Sequence, residues 1–534
     1  MGARGTRGGR AARRSWWQDA LHVGVVAAVS LAVALLGAVR LGTLPGTVGY
    51  EDAVGGEDAV HVDGSADGDL TDVDAAPEDA EPGDAEPGDA EPGDASLGRR
   101  VDAYLDENFP KTGVPGVAVA VVDSDGVRYL RTLGDCEDEH ATFTIGSLSK
   151  SFTAVAIMQL VEGGKVNLDD PVRTYVPECR EPDVVTVRSL LNQTSGFGYY
   201  DSLSEAWPGE SLGSFSYANA NYDLLGKVIE CVSGQSYADY LEQHVFGPLG
   251  MDDSSARETG RADALGHRDY FGLNLSDGYA HVDGADAWGG ASSGYVRSSV
   301  LDMARYLTMY LNGGEDVLSE GGVEALFFDR VPDLGGDSFY GMGWTSYYWD
   351  DGELVLSHDG QVENGVARMC LLPGRDMGIV ILGDASDYFG GNDAFFQMAN
   401  DIVSLAVGGG ATGVDAGLRA QAHAQANRML AVVAALALLP LALLHRWRLR
   451  LGDIPRDVVL WRLVFVHVGL PLLLWWVPDA LLGARWRDLL AFVPDVGYVL
   501  ATAVGTLVVT GVAKVILLVR RRREARAGGS TPAS

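Results

Sequence analysis

The chain has 534 residues, with 73 acidic against 40 basic side chains, and its formal net charge is −33 at pH 7. It is therefore longer than one ordinary domain, and its acidity argues against nucleic-acid binding, because the phosphate backbone needs a basic surface. The central part, of about 300 residues, is long enough to bury a large core.

The N-terminus combines a basic segment with an apolar one. Residues 1–20 contain the arginines Arg4, Arg7, Arg10, Arg13 and Arg14, and an uncharged apolar run extends from Leu21 to Val39. That run approaches the length of a membrane-spanning helix. We predict a cytosolic segment at 1–20 and a transmembrane anchor at 21–43. A cleaved signal peptide is the alternative, but no clean small-residue cleavage site follows Ala38.

Residues 44–97 are acidic and poor in bulky apolar side chains. The repeat Ala-Glu-Pro-Gly-Asp is most regular between Ala80 and Ala95. Such a segment cannot bury enough apolar surface to offset its ordering entropy, and proline and charge repulsion keep it extended. We predict a disordered stalk; a tail that binds a partner is the alternative.

Residues 98–407 show the pattern of a globular domain. Two apolar runs, Val114–Val122 and Val127–Thr132, flank a turn at Asp123–Gly126 and predict a β-hairpin. The middle of the domain is mostly helical. Strands return after Tyr340, and the last helix is predicted at Ala394–Val407. The later strands are predicted at Glu353–Ser357, Gly365–Leu372 and Met377–Leu382. This order predicts an α+β fold, in which an antiparallel sheet is flanked by helices and a helical subdomain is inserted.

Ser147 and Lys150 form the most informative motif of the chain. Residues three apart share a face of a helix, so the lysine amine would lie close to the serine hydroxyl. The apolar stretch Ala154–Val161, which ends at Gly163-Gly164, predicts that this helix is buried. Burial disfavours the charged ammonium, and a general base must be neutral. The alternative is an N-cap serine with a surface lysine.

The C-terminal part has the apolar pattern of membrane-spanning helices. The apolar runs Met429–Leu444, Val458–Val477 and Val496–Val519 predict three transmembrane helices within 428–519, after a linker at 408–427. Basic residues at 445–450 and in the tail, 520–534, belong on the cytosolic side. Together with the first span, charge and parity predict a multi-pass protein of the cell membrane with residues 98–407 outside. Buried soluble helices are the alternative.

Five segments of the central domain carry a resemblance to a known family. In order, they are 143–171 (FTIGSLSKSFTAVAIMQLVEGGKVNLDDP), 186–196 (TVRSLLNQTSG), 216–234 (SYANANYDLLGKVIECVSG), 248–251 (PLGM) and 357–360 (SHDG). From about Val101 to Val403 the chain resembles the serine beta-lactamase and penicillin-binding protein superfamily. More narrowly, it is similar to the class C beta-lactamase-related group, which includes esterases, D-aminopeptidases and DD-peptidase-like proteins.

The resemblance implies four residue roles around the hydroxyl. Ser147 would be the acylated nucleophile and Lys150 its base. Tyr217 would shuttle protons, with its phenol acidified by Lys150, and Asn219 would hold the substrate amide. Gln193 stands where the family usually has histidine, and we expect this position to be structural.

The third motif implies the rest of the site. His358 stands where lactamases usually have lysine, which weakens capture of a beta-lactam carboxylate. Gly360 would let a substrate lie against the strand. The backbone N–H groups of Gln361 and Ser147 would form the oxyanion hole.

The four cysteines, Cys136, Cys179, Cys231 and Cys370, all fall in the central domain. Two disulfides or free thiols are equally compatible with the sequence. None of the cysteines has metal-ligand spacing, so we predict no metal and no cofactor.

Two functions fit these features. The first is a membrane-anchored extracytoplasmic serine hydrolase that cleaves an amide or ester through an acyl-enzyme on Ser147. Its substrate would be a small molecule or peptide, with a cell-wall D-amino-acid peptide, a small ester and a lactam as candidates. The alternative is a sensor or scaffold that binds, or is acylated by, cell-wall fragments or beta-lactams without turnover. The oligomeric state is not predicted.

Overall fold

The computed structural model describes residues 93–257, 264–333, 335–451, 454–482 and 485–528. The predicted cytosolic segment 1–20, the anchor 21–43 and the stalk up to residue 92 lie outside the described residues. Within the described chain there are two compact units. One unit comprises residues 93–431 together with 487–499, and the other comprises residues 432–486 and 500–528.

An eight-stranded antiparallel sheet forms the centre of the first unit. Its strand order is β2-β1-β12-β11-β10-β9-β8-β7. The strands are β1 (Gly116–Asp123), β2 (Gly126–Gly134), β7 (Val331–Pro332), β8 (Phe339–Gly341), β9 (Trp344–Tyr348), β10 (Leu354–Val362), β11 (Gly365–Leu372) and β12 (Met377–Gly383). The predicted hairpin is β1–β2, and the three later strands are confirmed as β10, β11 and β12.

Short strands and helices complete this unit. The small strands are β3 (Thr142–Thr144), β4 (His267–Tyr270), β5 (Leu273–Leu275), β6 (Arg297–Ser299) and β13 (Ala385–Ser386). The helices are α1 (Gly93–Thr112), α2 (Ser149–Glu162), α3 (Val187–Leu191), α4 (Asn219–Ser233), α5 (Tyr237–Leu241), α6 (Gly247–Leu249), α7 (Val300–Leu311), α8 (Glu320–Phe328) and α9 (Gly391–Ala406). Helix α1 begins at Gly93, within the segment predicted as stalk, so the folded domain starts earlier than expected.

Both faces of the sheet are covered, and strand β1 shows how. Successive side chains of a strand point to opposite faces. Ala118 and Ala120 face a core that includes Phe152 of α2. Val119 faces a second core that includes Phe395 of α9. The strand is therefore apolar throughout instead of alternating between apolar and polar residues, as expected when both faces of a sheet are buried.

Helix α2 is the central element of the helical subdomain. Its residues from Ser149 to Met158 are all buried, and the helix ends at the predicted glycine, Gly163. The ring of Phe152 stacks on that of Tyr306 in α7, with centroids 3.9 Å apart. This packing fixes the N-terminal end of α2 beside the sheet. The predicted α+β fold, with an antiparallel sheet and a helical subdomain, is confirmed.

Within the described residues, three helical stretches are long and apolar enough to cross a membrane: Ala416–Arg450, Arg456–Pro478 and Pro494–Glu524. They contain the three predicted apolar runs. The helices are α10 (Ala416–Ala442), α11 (Leu444–Arg450), α12 (Arg456–Val464), α13 (Leu470–Leu482), α14 (Trp486–Phe492) and α15 (Pro494–Gly528). The predicted linker 408–427 is helical from Ala416 onward, so it is not an unstructured connection. The four cysteines are free thiols.

Candidate active site

The segment that carries Ser147 is a tight turn pressed against strand β10. Residues Gly146–Leu148 form a 3₁₀ turn, and helix α2 follows at once. Gly146 has φ of +59°, and a Cβ there would lie 2.6 Å from the backbone N of Gln361. A Cβ on Gly360 would lie 2.2 Å from the carbonyl oxygen of Ile145. Glycine is therefore required on both sides of this contact.

Gly360 was expected to leave room for a substrate along the strand. Its bare Cα instead faces the carbonyl of Ile145, so the glycine is needed for packing between the strand and the Ser147 turn. This packing gives the glycine a structural reason, and a substrate lying along the strand at Gly360 stays a prediction. The same contact brings the backbone N of Gln361 next to Gly146, one residue before Ser147. The Gln361 side chain accepts a hydrogen bond from Asn392 Nδ2 at 3.1 Å.

Two side chains converge on the Ser147 hydroxyl. Nζ of Lys150 lies 3.0 Å from Oγ of Ser147. The phenol of Tyr217 donates a hydrogen bond to the same Oγ at 2.7 Å. Tyr217 lies 70 residues further along the chain, in the loop before α4, so the fold brings together two motifs that are distant in sequence.

Lys150 is fully buried and has two further acceptors. Its Nζ lies 2.7 Å from Oδ1 of Asn219 and 2.6 Å from the carbonyl oxygen of Ser293. Burial lowers the pKa of Lys150 to about 7, and the nearby carboxyl of Asp223 opposes this shift. A neutral amine has two N–H groups and one lone pair. With its two protons donated to Asn219 and Ser293, the lone pair faces the Ser147 hydroxyl, which is the arrangement of a general base.

The phenol of Tyr217 is not acidified. Burial raises its pKa well above the ordinary value, and neighbouring Tyr340 adds to the shift. The expectation that Lys150 acidifies this phenol is wrong, because burial dominates the pKa of Tyr217 and also lowers the pKa of Lys150 to about 7, which leaves the amine only partly charged at neutral pH. Tyr217 is therefore a neutral hydrogen-bond donor to Ser147.

Gln193 organises the loop that carries Tyr217 and Asn219. It is fully buried and has φ of +57°. Its side-chain oxygen accepts hydrogen bonds from the backbone N of Ala218, at 3.0 Å, and from the amide of Asn221. Its backbone carbonyl accepts from Ser216 N at 2.8 Å. These contacts surround Tyr217 on both sides in sequence, as expected for a structural position.

His358 is buried near the centre of β10. Its Nδ1 lies 2.8 Å from the carbonyl oxygen of Asp359, and its Nε2 lies 3.3 Å from the hydroxyl of Tyr340. Burial and the proximity of Lys150 lower its pKa to about 3, so the ring is neutral at physiological pH. Neutral Nδ1–H then donates to the backbone and Nε2 accepts from the phenol. No positive charge arises at the position where lactamases usually have lysine.

The next residue of the motif, Asp359, is fully engaged. Its two carboxylate oxygens accept hydrogen bonds from Arg368 on the neighbouring strand β11, at 2.6 and 2.7 Å. The guanidinium also contacts Asn400 of α9. Both members of the pair are mostly buried, with 17% and 18% of their side chains exposed. This pair holds the strand that carries His358 and Gly360.

Sequence analysis missed Ser293 and Tyr340. Ser293 acts through its backbone carbonyl, which any residue has, so no side-chain pattern could have identified it. The surrounding run Gly289-Gly290-Ala291-Ser292-Ser293-Gly294 gave a weak signal, since glycines mark close approaches of the backbone. A Cβ on Gly289 would lie 2.7 Å from the Ser293 hydroxyl and 3.0 Å from the Asn219 amide.

In the part of the chain that the structure describes, two groups of histidine and carboxylate side chains lie close enough together to ligate a metal ion. They are Asp135, His267 and Asp384, and Asp269, Asp387 and His423. Neither group includes a predicted site residue. In the second group, Asp387 already accepts hydrogen bonds from Arg419 and His423, at 2.7 and 2.9 Å. The absence of a metal and of a cofactor from the reaction stays a prediction.

Comparison with known proteins gives consistent matches. The Beta-lactamase family model matches residues 97–394. Protein flp of Staphylococcus aureus (strain MW2) is 24% identical over 441 residues, covering 74% of this chain and 86% of that protein. Penicillin-binding protein 4 of Amycolatopsis lactamdurans is 28% identical over 338 residues, covering 55% and 87%. The structure of the octameric penicillin-binding protein homologue from Pyrococcus abyssi aligns with a TM-score of 0.50 and 29% identity, covering 58% of this chain and 78% of that one.

Proposed function

The chain belongs to the beta-lactamase family, whose model matches more than half of its length, and on this premise we propose that it is a membrane-anchored serine hydrolase. It cleaves an ester or amide through an acyl-enzyme on Ser147. The single observation that carries the proposal is the convergence of Lys150 Nζ and the Tyr217 phenol on the Ser147 hydroxyl, at 3.0 and 2.7 Å.

The reaction follows from these contacts. Neutral Lys150 accepts the Ser147 proton while Oγ attacks the acyl carbon. The backbone N–H groups of Ser147 and Gln361 stabilise the negative charge that develops on the carbonyl oxygen. Tyr217 then gives its proton to the leaving group, and the proton held by Lys150 restores the phenol. Water releases the acyl group in a second step: Lys150 accepts a proton from the attacking water and returns it to Oγ of Ser147 as the acyl–Oγ bond breaks.

The charges of the site favour a substrate without a carboxylate. His358 is neutral, and the guanidinium of Arg368 is held by Asp359. Neither group is available as a cation to bind a carboxylate. An ester, or an amide that lacks a free carboxylate beside the scissile bond, therefore suits the site better than a penicillin or a D-Ala-D-Ala peptide.

The number of candidate membrane crossings supports an extracytoplasmic active site. The chain leaves the hydrolase unit through the candidate span Ala416–Arg450, continues through Arg456–Pro478, and then rejoins the hydrolase unit with residues 487–499. Two crossings return a chain to its starting side. The hydrolase domain and residues 487–499 then share one side of the membrane, and the basic tail lies on the other side, which is cytosolic by the positive-inside rule.

A second candidate function is a sensor that is acylated without turnover. The observation that favours it is the joining of residues 487–499, which lie between two candidate spans, to the unit that contains Ser147. In such a sensor, acylation of Ser147 would change the conformation of residues 487–499, which the chain joins directly to two candidate spans. A stable adduct with no product release distinguishes this function from hydrolysis.

The test uses the full chain in detergent micelles. Wild type, Ser147→Ala and the control Ser214→Ala, an exposed serine, are incubated with p-nitrophenyl acetate, nitrocefin and a D-Ala-D-Ala peptide. The proposal predicts ester turnover by wild type and the control but not by Ser147→Ala. An equal rate for all three proteins would contradict it, and a burst without turnover would favour the sensor.

A further inference from the structure

Four aromatic side chains form a continuous surface beside the Ser147 site. They are Tyr199, Tyr200, Trp288 and Phe492, and we call this surface the aromatic wall. The ring of Tyr199 lies 6.2 Å from that of Tyr217, whose phenol contacts Ser147. Trp288 lies 5.5 Å from Tyr199, and Phe492 packs edge-on against Trp288 at 5.0 Å. All four side chains keep part of their surface exposed.

Two contacts hold the aromatic wall beside the Ser147 site. The indole N–H of Trp288 donates to the carbonyl of Tyr199 at 2.9 Å. The residue after Trp288 is Gly289, which packs against Asn219 and Ser293, the two acceptors of Lys150. The wall therefore begins at the catalytic groups and extends away from them.

Phe492 comes from the segment that connects the second and third C-terminal candidate spans. The hydrolase domain holds this segment, residues 487–499, through specific contacts. Arg268 of β4 donates to the carbonyls of Leu490 and Ala491, each at 3.1 Å, near the end of helix α14. The backbone N of Phe271 donates to Asp495 at 3.1 Å. The ring of Phe492 also contacts that of Tyr388, 5.9 Å away.

The chemistry of the wall indicates what it binds. Aromatic rings bury large apolar area, and they discriminate little between an aliphatic chain and a ring. Two charged groups of the connecting segment, Arg487 and Asp488, pair with each other at 3.2 Å, and the Asp488 carboxylate together with burial raises the pKa of Tyr200. This ion pair offers no net charge to an ionic ligand. The wall thus suits a neutral apolar group.

We propose that the aromatic wall is a binding subsite for the apolar moiety of a hydrophobic ester or amide, and that Phe492 completes it. This inference rests on the proposed function, because it concerns the substrate of the same site. It gives the C-terminal membrane part a role in substrate selection, since the chain between two of its spans supplies a residue of the subsite. A protein truncated after the hydrolase domain would lack that residue.

The test measures chain-length preference with the full chain in detergent micelles. One pair of substrates, p-nitrophenyl octanoate and acetate, varies the acyl group, and a second pair, octyl and methyl acetate, varies the alcohol. The variant is Phe492→Ala, and Phe492→Tyr is the conservative replacement. The control is Phe465→Ala, which removes an exposed ring that stacks on Trp461. The rate with p-nitrophenyl acetate reports whether each variant has kept its catalytic centre.

We expect wild type to prefer the long substrate of one pair, and Phe492→Ala to reduce that preference roughly tenfold. Phe465→Ala should keep the wild-type chain-length preference, and Phe492→Tyr, which keeps the aromatic ring, should keep most of it. An unchanged preference in Phe492→Ala, or no preference in wild type, overturns the inference while leaving Ser147-dependent hydrolysis intact. If Phe492→Ala also loses acetate turnover, Phe492→Leu, which keeps most of the volume but not the ring, is measured in its place. A reduced ratio of long-substrate to short-substrate rates in Phe492→Leu supports the inference, and an unchanged ratio overturns it. Turnover that does not depend on Ser147 overturns both proposals.

Discussion

Nζ of Lys150 lies 2.7 Å from Oδ1 of Asn219, so the buried amine is paired with a neutral acceptor and not with a carboxylate. This pairing matters for the protonation state of the lysine. A carboxylate at that distance would favour the ammonium, whereas an amide oxygen leaves burial as the main influence on the pKa. The site thereby keeps a lysine that can accept a proton at neutral pH.

The first prediction concerns the pH dependence of hydrolysis. Lys150 has a pKa of about 7 and must be neutral to act as a base. The value of kcat/KM for p-nitrophenyl acetate should therefore fall roughly tenfold per pH unit below pH 7 and level off above it. Lys150→Ala should lower kcat/KM roughly 10²- to 10⁴-fold, whereas Lys165→Ala, at an exposed position, should have no effect. A flat profile between pH 5 and 8 would speak against Lys150 as the base.

The second prediction tests the neutral partner. In Asn219→Asp, a carboxylate replaces the amide 2.7 Å from the amine, so it should raise the pKa of Lys150. The rising limb of the pH profile should move to higher pH by more than about one unit. Asn312→Asp, at an exposed helix end, is the matched control and should leave the profile in place. An unmoved limb in Asn219→Asp would mean that another group sets it.

The third prediction concerns the contact between β10 and the Ser147 turn. In Gly360→Ala the new methyl group would lie 2.2 Å from the Ile145 carbonyl oxygen, so strand and turn must separate. We expect the unfolding free energy to drop by about 1–3 kcal/mol, and ester turnover to drop with it because the turn carries Ser147. Gly410→Ala has open space around the new Cβ and serves as the control in thermal unfolding and turnover assays. Wild-type behaviour of Gly360→Ala would refute the contact.

The fourth prediction separates a buried ion pair from an exposed one. Arg368→Met leaves Asp359 mostly buried without its bidentate partner, which should lower the unfolding free energy by about 3 kcal/mol. Arg257→Met breaks an ion pair with Asp239 that is largely exposed, so its loss of stability should be much smaller. Thermal unfolding of both variants in the same detergent gives the comparison. Equal losses of stability would contradict the structural role of the Asp359–Arg368 pair.

The fifth prediction concerns topology. An impermeant maleimide applied to intact cells should label Cys231, an exposed thiol of the hydrolase domain. In a Cys179→Ser/Cys231→Ser background, Arg487→Cys should also be labelled, whereas Arg450→Cys should react only after permeabilisation. Both arginines are exposed. Counting the membrane crossings assigns Arg487 to the outer side and Arg450 to the cytosolic side. Labelling of Arg450→Cys in intact cells would contradict the four-span arrangement.

The sequence predicted the fold and most of the site because both have local signatures. The continuous apolar run of β1, the glycine stop at Gly163 and the spacing of Ser147 and Lys150 are each visible within a dozen residues. The distance between Tyr217 and Ser147 is not, since it depends on the packing of α4 against α2. The family resemblance was needed to connect the motifs.

The sequence could not predict the properties of the site that depend on packing. The direction of the Tyr217 pKa shift depends on burial next to Tyr340, and the acceptor at Ser293 is a backbone atom. Phe492 gave no signal, because it lies between apolar runs and its partner Trp288 is 204 positions away. Only the fold brings these two rings together.

The central claim is a covalent acyl-enzyme on Ser147. The most direct measurement is the intact mass of the full chain after rapid quenching with p-nitrophenyl acetate, followed by mapping of the modified peptide. The account predicts one added acetyl group on the peptide that contains Ser147, formed faster above pH 7 than below it, and no adduct in Ser147→Ala. An adduct elsewhere, or turnover by Ser147→Ala at the wild-type rate, would contradict it.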